Sequence, residues 1–496
     1  MNLGCDACRD DEHIRCYDKT TCPCAIDWNH GLTKSGSVND KGEIIFVNVK
    51  HSDDDRIDKV SNELIEKYDF KTAIESDTIY LFTGKIYEDK KALAIIKEET
   101  EKRIVECTER DCLEVIAKIK RKTYKNLQDF DSDPNVLTLE NGILNLQTMK
   151  VKPHTPTNLS KVLIPCDYIK PETSDIEVNL QDTLFWKYLK TSFTINEITN
   201  QENMKTVLEI MASAFLKTDV DERSVMFLGN GENGKSVCLD YLKCLLGKEN
   251  FSSIPLQVLT NDKFSTANLD GKLANIFPDL EKNELYHTGT FKDLSSHESI
   301  YAQKKHGQPF DLVPMATQLF SCNRFPKSYD QSQGFFRRWI IVKWSRNFEK
   351  DPDRDDNLKQ KLLENSPERN IVFSTLVHIS RELLKNNKFT HSKNWKDIQK
   401  EWNSNADPLD DFVDNYIIDS DRYPSKRETY QFYKKIMFYK NEVPLGMGKF
   451  GKLFAEYFED SKSNGTRTWC NIDFKEPKQE TLSEFDTGSK ECDDID

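Results

Sequence analysis

Short apolar runs recur through the middle of the chain, and each is closed by polar residues. Four of these runs have the length of a buried strand: Arg223–Leu228, Leu273–Phe277, Gln318–Asn323 and a run that begins at Trp339. After the first run, Val237–Leu246 carries apolar residues in a helical stretch. Strands that alternate with helical stretches predict an α/β fold for this region.

Weaker patterns flank this region on both sides. On the amino-terminal side we predict a hairpin, two amphipathic helices and two further strands, at Ile79–Tyr87, Lys91–Lys120, Asn135–Leu139 and Gly142–Leu146. An isolated strand is predicted at Glu43–Val49. On the carboxyl-terminal side we predict three helices followed by a hairpin, the pattern of a winged helix. The helices are expected at Pro408–Tyr416, Ser425–Tyr439 and Gly446–Phe458, with a capping box opening the second.

Length and charge limit the function classes only loosely. A chain of 496 residues predicts about three or four folded units. It has no apolar run of about 18 residues and begins with a polar segment, so we expect an intracellular protein that neither spans nor contacts a membrane. The net charge of −13 does not exclude DNA binding, because phosphates are bound by local clusters of Lys and Arg. The acidic segment 476–496 is predicted to be disordered.

The first 24 residues hold five of the thirteen cysteines. Together with one histidine they make six candidate metal ligands: Cys5, Cys8, His13, Cys16, Cys22 and Cys24. Thiolate and imidazole ligands suit tetrahedral zinc, which would allow so short a segment to fold. We therefore predict one structural zinc ion. Cys5, Cys8, His13 and Cys16 have the most usual spacing, but Cys22 and Cys24 could replace two of them.

The apolar run that ends at Leu228 leads directly into a complete phosphate loop, GxxxxGK[ST]. Its members are Gly229, Asn230, Gly231, Glu232, Asn233, Gly234, Lys235 and Ser236. The glycines allow the backbone N–H groups to point at phosphates, and the following helix directs its positive end at the same anion. Lys235 supplies a charge to the β and γ phosphates, and Ser236 a hydroxyl to Mg²⁺. We predict binding of ATP with Mg²⁺.

Three later positions complete the chemistry of nucleotide hydrolysis. Asp279, just after the second strand, is the candidate ligand on the metal side, and Glu281 could polarise the attacking water. Asn323, at the end of the third strand, can sit between the γ-phosphate and that water. Arg337 and Arg338 precede the fourth strand, where one of them could act on a neighbouring subunit as an arginine finger.

In this order, the residues from Met226 to Trp344 resemble the helicase core of the phage and plasmid primase–helicase family, which includes the poxvirus-type NTPases. These are superfamily 3 AAA+ helicases. The resemblance implies Asn323 as the polar sensor and Arg338 as the likelier finger. It extends more weakly over about residues 60–475. The chain departs from the family at Pro278, where many members carry a second acid, so the general base stays open.

The family resemblance also gives a meaning to the segment Tyr301–Phe310. A basic hairpin at this place projects into the ring pore in the resembling family. Lys304, Lys305 and His306 are therefore expected to contact DNA. An ordinary solvated turn is the alternative. Lys449 and Lys452, on one side of the third C-terminal helix, are also candidate DNA contacts, the alternative being a winged helix that binds protein.

Together these patterns predict an AAA+ P-loop core with an α+β domain before it and a winged helix after it. The predicted boundaries are a zinc-binding segment (1–27), a linker (28–58), an α+β domain (59–215), the ATPase core (216–350), a helical connector (351–404), the winged helix (405–475) and the acidic tail (476–496). No strand of the α+β domain carries the paired Asp of a primase.

The predicted function is ATP-dependent unwinding of DNA during replication of a virus, plasmid or integrated element. The resemblance implies a homo-hexameric ring, 3′-to-5′ movement on single-stranded and forked DNA, and a separate primase or polymerase as a partner. Two alternatives stay open: a ring that remodels DNA without processive unwinding, and an origin-binding protein whose ATP serves assembly. Stimulation of hydrolysis by single-stranded DNA would separate these functions.

Overall fold

The computed structural model describes the greater part of the chain. The described residues are 33–38, 44–49, 52–281, 284–305, 307–390, 393–406, 409–439, 444–463 and 466–476. The predicted zinc ligands, His306 and nearly all of the predicted acidic tail lie outside these ranges. Within them, no helix is both long and apolar enough to cross a membrane.

The chain forms two compact units. The first consists of Met1–Ser132 with Pro153–Leu163, and the second of Asp133–Lys152 with Ile164–Asp496. The predicted α+β domain over 59–215 is therefore divided between them. The physical reason is strand pairing, because Leu139 bridges to Ile164 and the Ile164 N–H donates to the Thr138 carbonyl at 2.9 Å.

The first unit is a small α+β fold. Its elements are β1 (Thr33–Val38), β2 (Ile44–Val49), α1 (Ser52–Lys67), β3 (Phe70–Ala73), β4 (Thr78–Phe82), β5 (Tyr87–Glu88), α2 (Ala92–Glu101), α3 (Glu109–Lys122) and β6 (Tyr124–Lys125), with short 3-10 turns at Leu127–Asp129 and Pro156–Asn158. A sheet of order β5-β4-β3-β6 packs against the helices. The predicted hairpin and both helices of this region are confirmed. The strand predicted at Glu43–Val49 within the linker 28–58 is confirmed as β2. The same stretch also carries its partner strand β1 and the start of α1.

The second unit begins with elements that precede the central sheet. They are β7 (Val136–Leu139), β8 (Gly142–Asn145), β9 (Lys150–Lys152), α4 (Ile176–Leu180), α5 (Leu184–Ser192), β10 (Thr194–Ile195), β11 (Ile198–Thr199) and α6 (Gln201–Ser213). Both predicted strands of this region are confirmed as β7 and β8, which pair antiparallel.

A five-stranded parallel sheet forms the centre of the second unit. Its strands and the elements between them are β12 (Ser224–Leu228), α7 (Lys235–Leu246), β13 (Phe251–Ser252), α8 (Leu256–Leu259), α9 (Lys263–Thr266), β14 (Ala274–Phe277), α10 (Gly289–Ser295), β15 (Ile300–Gln303), β16 (Pro309–Leu312), β17 (Thr317–Cys322), α11 (Gln333–Phe336) and β18 (Trp339–Lys343), with a 3-10 turn at Ala267–Leu269. The strand order is β13-β14-β17-β12-β18. All four strands expected from the sequence are present, and β13 is an additional edge strand.

The remaining elements follow the sheet. They are α12 (Leu358–Glu364), α13 (Ser366–Asn386), α14 (Trp395–Ala406), α15 (Asp410–Tyr416), β19 (Ile417–Asp419), α16 (Lys426–Tyr439), α17 (Met447–Phe454), β20 (Asp460–Ser463), β21 (Thr466–Trp469) and β22 (Ile472–Phe474). The three helices α15, α16 and α17 and the hairpin β20–β21 occur in the predicted order, and β19 pairs with β22 in addition. We call residues 409–476 the C-terminal domain.

Candidate active site

The phosphate loop joins the buried strand β12 to helix α7, as the sequence indicated. Gly229 leaves no room for a side chain, because a Cβ there would lie 2.1 Å from Nδ2 of Asn233 and 2.6 Å from the carbonyl oxygen of Trp344. Gly234 has a φ of +90°, which an L side chain rarely adopts. These glycines let the loop curl around an anion, which is the shape that a triphosphate requires.

Lys235 is the first residue of α7 and is 5% exposed. Its ammonium donates to the carbonyl oxygen of Gly229 and lies 3.4 Å from Oδ1 of Asn323. Burial lowers the pKa of this amine, while the charge of Asp279 acts in the opposite direction. A buried ammonium that is held by these neutral oxygens is suited to bind a phosphate, so the side chain fits the expected ligand.

Three residues outside the phosphate loop stabilise it, and the sequence analysis did not assign them to the site: Tyr188, Trp344 and Arg354. Nδ2 of Asn233 donates to the carbonyl of Trp344 at 3.2 Å, and the hydroxyl of Tyr188 donates to the carbonyl of Gly234 at 2.8 Å. Arg354 forms an ion pair of 2.9 Å with Glu232. These partners lie 46 to 122 residues away along the chain, so no local pattern could have revealed them.

The carboxyl ends of β12, β17 and β14 lie side by side, because these strands are parallel neighbours. Asn323 and Asp279 follow the ends of β17 and β14, and the N–H of Leu280 donates to the carbonyl of Ser321 at 2.8 Å. A cavity of about 460 Å³ opens between them. It is lined by Asn230, Asp279, Leu280, Glu281, Asn323, Arg324 and Lys449. The structure therefore brings together the loop, both candidate acids and the candidate sensor.

The donor set of this cavity fits a nucleotide and its magnesium ion. Asp279 and Glu281 are exposed carboxylates, which hard divalent cations prefer as ligands. Ser236 is exposed at the start of α7, on the same side of the sheet. Arg324 and Lys449 add two cations that the sequence did not assign to this site. A second cavity of about 330 Å³ adjoins the loop on the side of residues 343–347.

The two arginines lie at the opposite edge of the sheet from the phosphate loop. Ser224 pairs with Trp339, and the Ser224 N–H donates to the Arg338 carbonyl at 2.6 Å, so the pair sits beside the start of β12. The length of the five-residue strand, about 16 Å, separates them from the loop at its other end. The arginine pair is therefore remote from the nucleotide site of its own subunit.

Arg338 and Arg337 differ in exposure. Arg338 is 8% exposed and donates to the carbonyl of Gly334 at 2.7 Å and to Oγ of Ser296 at 2.8 Å. Burial lowers its pKa. Arg337 has a side chain that is 42% exposed, and both arginines form ion pairs with Glu222. The sequence favoured Arg338 as the finger, whereas the structure leaves Arg337 the more accessible guanidinium.

Strands β15 and β16 form the predicted hairpin, and its tip contains the candidate DNA contacts. The Gly307 N–H donates to the Lys304 carbonyl at 2.8 Å and closes the turn. Nζ of Lys304 lies 3.8 Å from a carboxylate oxygen of Asp270, whereas Lys305 is exposed. His306 lies outside the described residues. Of the two described candidates, Lys305 presents the more accessible charge.

Two kinds of metal site were predicted. Of the candidate magnesium ligands, Asp279 lines the cavity just described, and Ser236 lies in the first turn of α7, next to Lys235. The six candidate zinc ligands lie outside the described residues. Among the residues that the structure describes, no group of three or more His, Cys, Asp or Glu side chains is placed to hold a metal ion.

Comparison with known proteins gives two family matches. Residues 227–338, from the phosphate-loop strand to the arginine pair, match a family of unknown function (DUF5906). Residues 34–194 match the family described as D5 N terminal like.

The chain is similar to viral proteins named as helicases. One relative, named "Putative helicase", comes from Acanthamoeba polyphaga mimivirus and is 20% identical over 338 residues, which are 61% of this chain and 34% of the relative. Another with the same description comes from Invertebrate iridescent virus 3 and is 21% identical over 247 residues, 47% of this chain and 25% of the relative. The chain thus spans about a third or less of the length of these relatives.

Solved structures of the NrS-1 C-terminal region also match. The A-form apo structure has a TM-score of 0.45 and 13% identity, and the match covers 83% of this chain and 98% of that one. A second apo structure of this region has a TM-score of 0.45 and 12% identity, covering 84% of this chain and 99% of that one.

Proposed function

We propose that the chain is the motor of an ATP-dependent DNA helicase of the superfamily 3 type, which assembles into a hexameric ring during replication of a viral, plasmid or integrated element. The observation that carries the proposal is that Asn230 of the phosphate loop, Asp279 and Asn323, which follow three neighbouring strands, line one cavity. Nζ of Lys235 lies 3.4 Å from Oδ1 of Asn323 in this lining. The similarity to viral proteins that carry the helicase name supports a helicase function.

Each polar group of the cavity has a distinct part in hydrolysis. Lys235 turns from the Gly229 carbonyl to the β and γ phosphates and neutralises their charge. Mg²⁺, held between Ser236 and Asp279, would supply further charge neutralisation at these phosphates. Asn323 orients the attacking water, and Glu281 accepts its proton through the exposed side of the cavity.

The arginine pair completes the site of a neighbouring subunit. Since both guanidinium groups lie at the edge of the sheet remote from their own loop, they can meet a nucleotide only on another copy. Between them we assign this part to Arg337, because Arg338 is bound within its own subunit by Ser296 and Gly334. One exposed guanidinium per interface then neutralises the transition state.

The proposal also includes contacts with DNA and a metal ion bound near the amino terminus. The tip of the β15–β16 hairpin, with Lys304, Lys305 and His306, contacts the DNA strand in the ring pore. The C-terminal domain is assigned a winged-helix role in which Lys452 is a candidate DNA contact. One structural zinc ion bound by the first 24 residues stays a prediction, as does a separate primase or polymerase as partner.

Hydrolysis measured with and without single-stranded DNA tests the proposed function. The wild-type protein should hydrolyse ATP, and single-stranded DNA should raise the rate. Lys235→Ala should lower the rate at least about 100-fold, the scale expected when a group that stabilises transition-state charge is removed. Lys248→Ala, an exposed lysine just beyond α7, serves as the matched control and should leave the rate unchanged.

Three results would contradict parts of this proposal. Wild-type turnover by Lys235→Ala would remove the assignment of the nucleotide site. Hydrolysis that ignores DNA would favour an assembly role at an origin over a motor. Stimulation by DNA without separation of a forked duplex would favour a ring that remodels DNA.

A further inference from the structure

Lys449 lines the nucleotide cavity, although it belongs to the C-terminal domain. The sequence assigned Lys449 and Lys452 together to DNA, because both lie on helix α17. The structure separates them: Lys449 shares the cavity wall with Asp279, Asn323 and Arg324, and Lys452 is not among the described residues that line it. A side chain distant in sequence thus adds a positive charge beside the candidate metal ligand and the sensor.

The orientation of Lys449 is set by the core of its own domain. Helix α17 buries Phe450, Leu453 and Phe454, and leaves Lys449 exposed. Phe450 and Phe454 stack with their ring centroids 5.1 Å apart, and Phe454 packs edge-on against Trp469 at 5.0 Å. A helix fixed in this way on its apolar side presents its polar side in a defined direction, here toward the cavity.

Helix α14 holds the chain leading into the C-terminal domain against the segment that follows the sensor. Trp402 stacks on Phe325 with ring centroids 4.4 Å apart and planes 9° apart, and its indole N–H donates to the Pro326 carbonyl at 2.8 Å. Phe325 and Pro326 come directly after Asn323 and Arg324. The chain that leads into the C-terminal domain is therefore held beside the cavity, and the domain itself contributes Lys449 to the cavity lining.

The charges of the cavity indicate what Lys449 binds. Asp279 and Glu281 supply two carboxylates for a metal ion and a water molecule, and Lys235 reaches the phosphates from the loop. A triphosphate carries more negative charge than one lysine offsets, and an ammonium on a long side chain acts as a point charge that can follow a phosphate oxygen. In the proposed function, Asp279 and Asn323 act at the terminal phosphate, which is the phosphate that separates ATP from ADP.

We propose that Lys449 binds the terminal phosphate of ATP in its own subunit and so ties the position of the C-terminal domain to the nucleotide state. This inference rests on the proposed function, since it needs ATP in the cavity. It adds an interaction supplied in cis by a domain that the sequence assigned to DNA. Hydrolysis and phosphate release break this interaction, which frees the C-terminal domain from the cavity.

Equilibrium binding of two nucleotides to the full chain tests the inference. We would measure dissociation constants for ATPγS and ADP, each with Mg²⁺ and without DNA. Lys449→Ala and Lys449→Gln should each weaken ATPγS about tenfold, the effect of losing one hydrogen bond between charged groups, and weaken ADP less than about twofold. Lys449→Arg should retain most of the affinity for ATPγS because the charge is kept.

The controls separate this inference from the proposed function. Lys434→Ala removes another exposed lysine of the C-terminal domain, outside the cavity lining, and should leave both dissociation constants unchanged. Lys235→Ala should weaken both nucleotides. If the wild-type protein binds no nucleotide, the proposed function fails and this inference with it.

Other results would overturn the inference alone. If both Lys449 variants bind ATPγS as the wild type does while Lys235→Ala does not, Lys449 does not contact the nucleotide. Equal weakening of ATPγS and ADP would place the interaction away from the terminal phosphate. Unchanged nucleotide binding with weaker binding of single-stranded DNA would return Lys449 to the DNA path that the sequence suggested.

Discussion

At the scale of single residues, the two neighbouring arginines differ in what holds them. Arg338 is buried and donates to Ser296 and Gly334, whereas the side chain of Arg337 is 42% exposed and pairs only with Glu222 among the ion pairs described. We therefore expect Arg338 to contribute mainly to stability and Arg337 mainly to hydrolysis. The sequence could not separate them, since the difference arises from the contacts of Arg338 with Gly334 and with Ser296 at the end of α10.

Substitutions of the two arginines should separate an effect on stability from an effect on activity. Arg338→Ala should lower the free energy of unfolding by about 1–3 kcal/mol, because it leaves the partly buried acceptors Gly334 O and Ser296 Oγ without this donor. Arg337→Ala should cost at most about 1 kcal/mol, the scale of an exposed ion pair. It should nevertheless lower the hydrolysis rate about 1,000-fold, as removal of an arginine finger does. Denaturant unfolding and steady-state hydrolysis measure the two effects.

The opposite result would assign the arginine finger to Arg338 instead of Arg337. If Arg338→Ala keeps the stability of the wild type and loses hydrolysis, while Arg337→Ala hydrolyses ATP normally, then Arg338 acts across the boundary. Glu222→Gln is a useful companion variant, because it removes the charge that both arginines share without removing either guanidinium.

At the scale of elements, the β15–β16 hairpin carries the proposed DNA contacts Lys304 and Lys305. Replacing Lys304 and Lys305 with Ala removes about two ammonium–phosphate pairs per subunit if both lysines meet the strand. The slope of log affinity against log salt on single-stranded DNA should then shrink by roughly 0.7 for each phosphate no longer neutralised, and unwinding should fail. Because Lys304 already lies near Asp270, Lys305→Ala alone should account for most of the change.

The control for the hairpin is Lys388→Ala, which removes an exposed lysine that follows α13. It should bind and unwind DNA as the wild type does. If the double hairpin variant also unwinds a forked duplex at the normal rate, the tip is a solvated turn and the DNA path lies elsewhere, starting with Lys452.

Most elements of the central sheet could be predicted because each has a local signal. Buried strands such as β12 read as short apolar runs, and the glycine pattern marks the phosphate loop that follows. The two-residue strand β13 has no such run. The division of the α+β region, the buttressing of the loop by Tyr188 and Trp344, and the place of Lys449 depend on contacts between distant segments. Periodicity contains no information about those contacts, so they appear only in the folded chain.

At the scale of the whole molecule, the arrangement of the sheet predicts that activity belongs to pairs of subunits. Subunits with Arg337→Ala and subunits with Lys235→Ala should each be inactive alone. When mixed in equal amounts, about a quarter of the interfaces in a ring would join an intact loop to an intact finger. Hydrolysis should therefore recover in part, which a titration of one variant into the other would measure. If mixed rings form and no ratio restores hydrolysis, the arginine does not act on a neighbour.

The separation of loop and arginine on opposite edges also gives each copy a front and a back. Copies that join front to back form a row. In every open row, the copy at one end has a nucleotide site that no arginine of a neighbouring copy reaches. A pair of copies has one complete site for two bound nucleotides. In longer open rows the ratio of complete sites to bound nucleotides rises, but it stays below one. Only closing the row into a circle removes the idle end. Turnover per copy should therefore double, and no more, as pairs give way to closed circles, so that dilution by itself acts as an off switch.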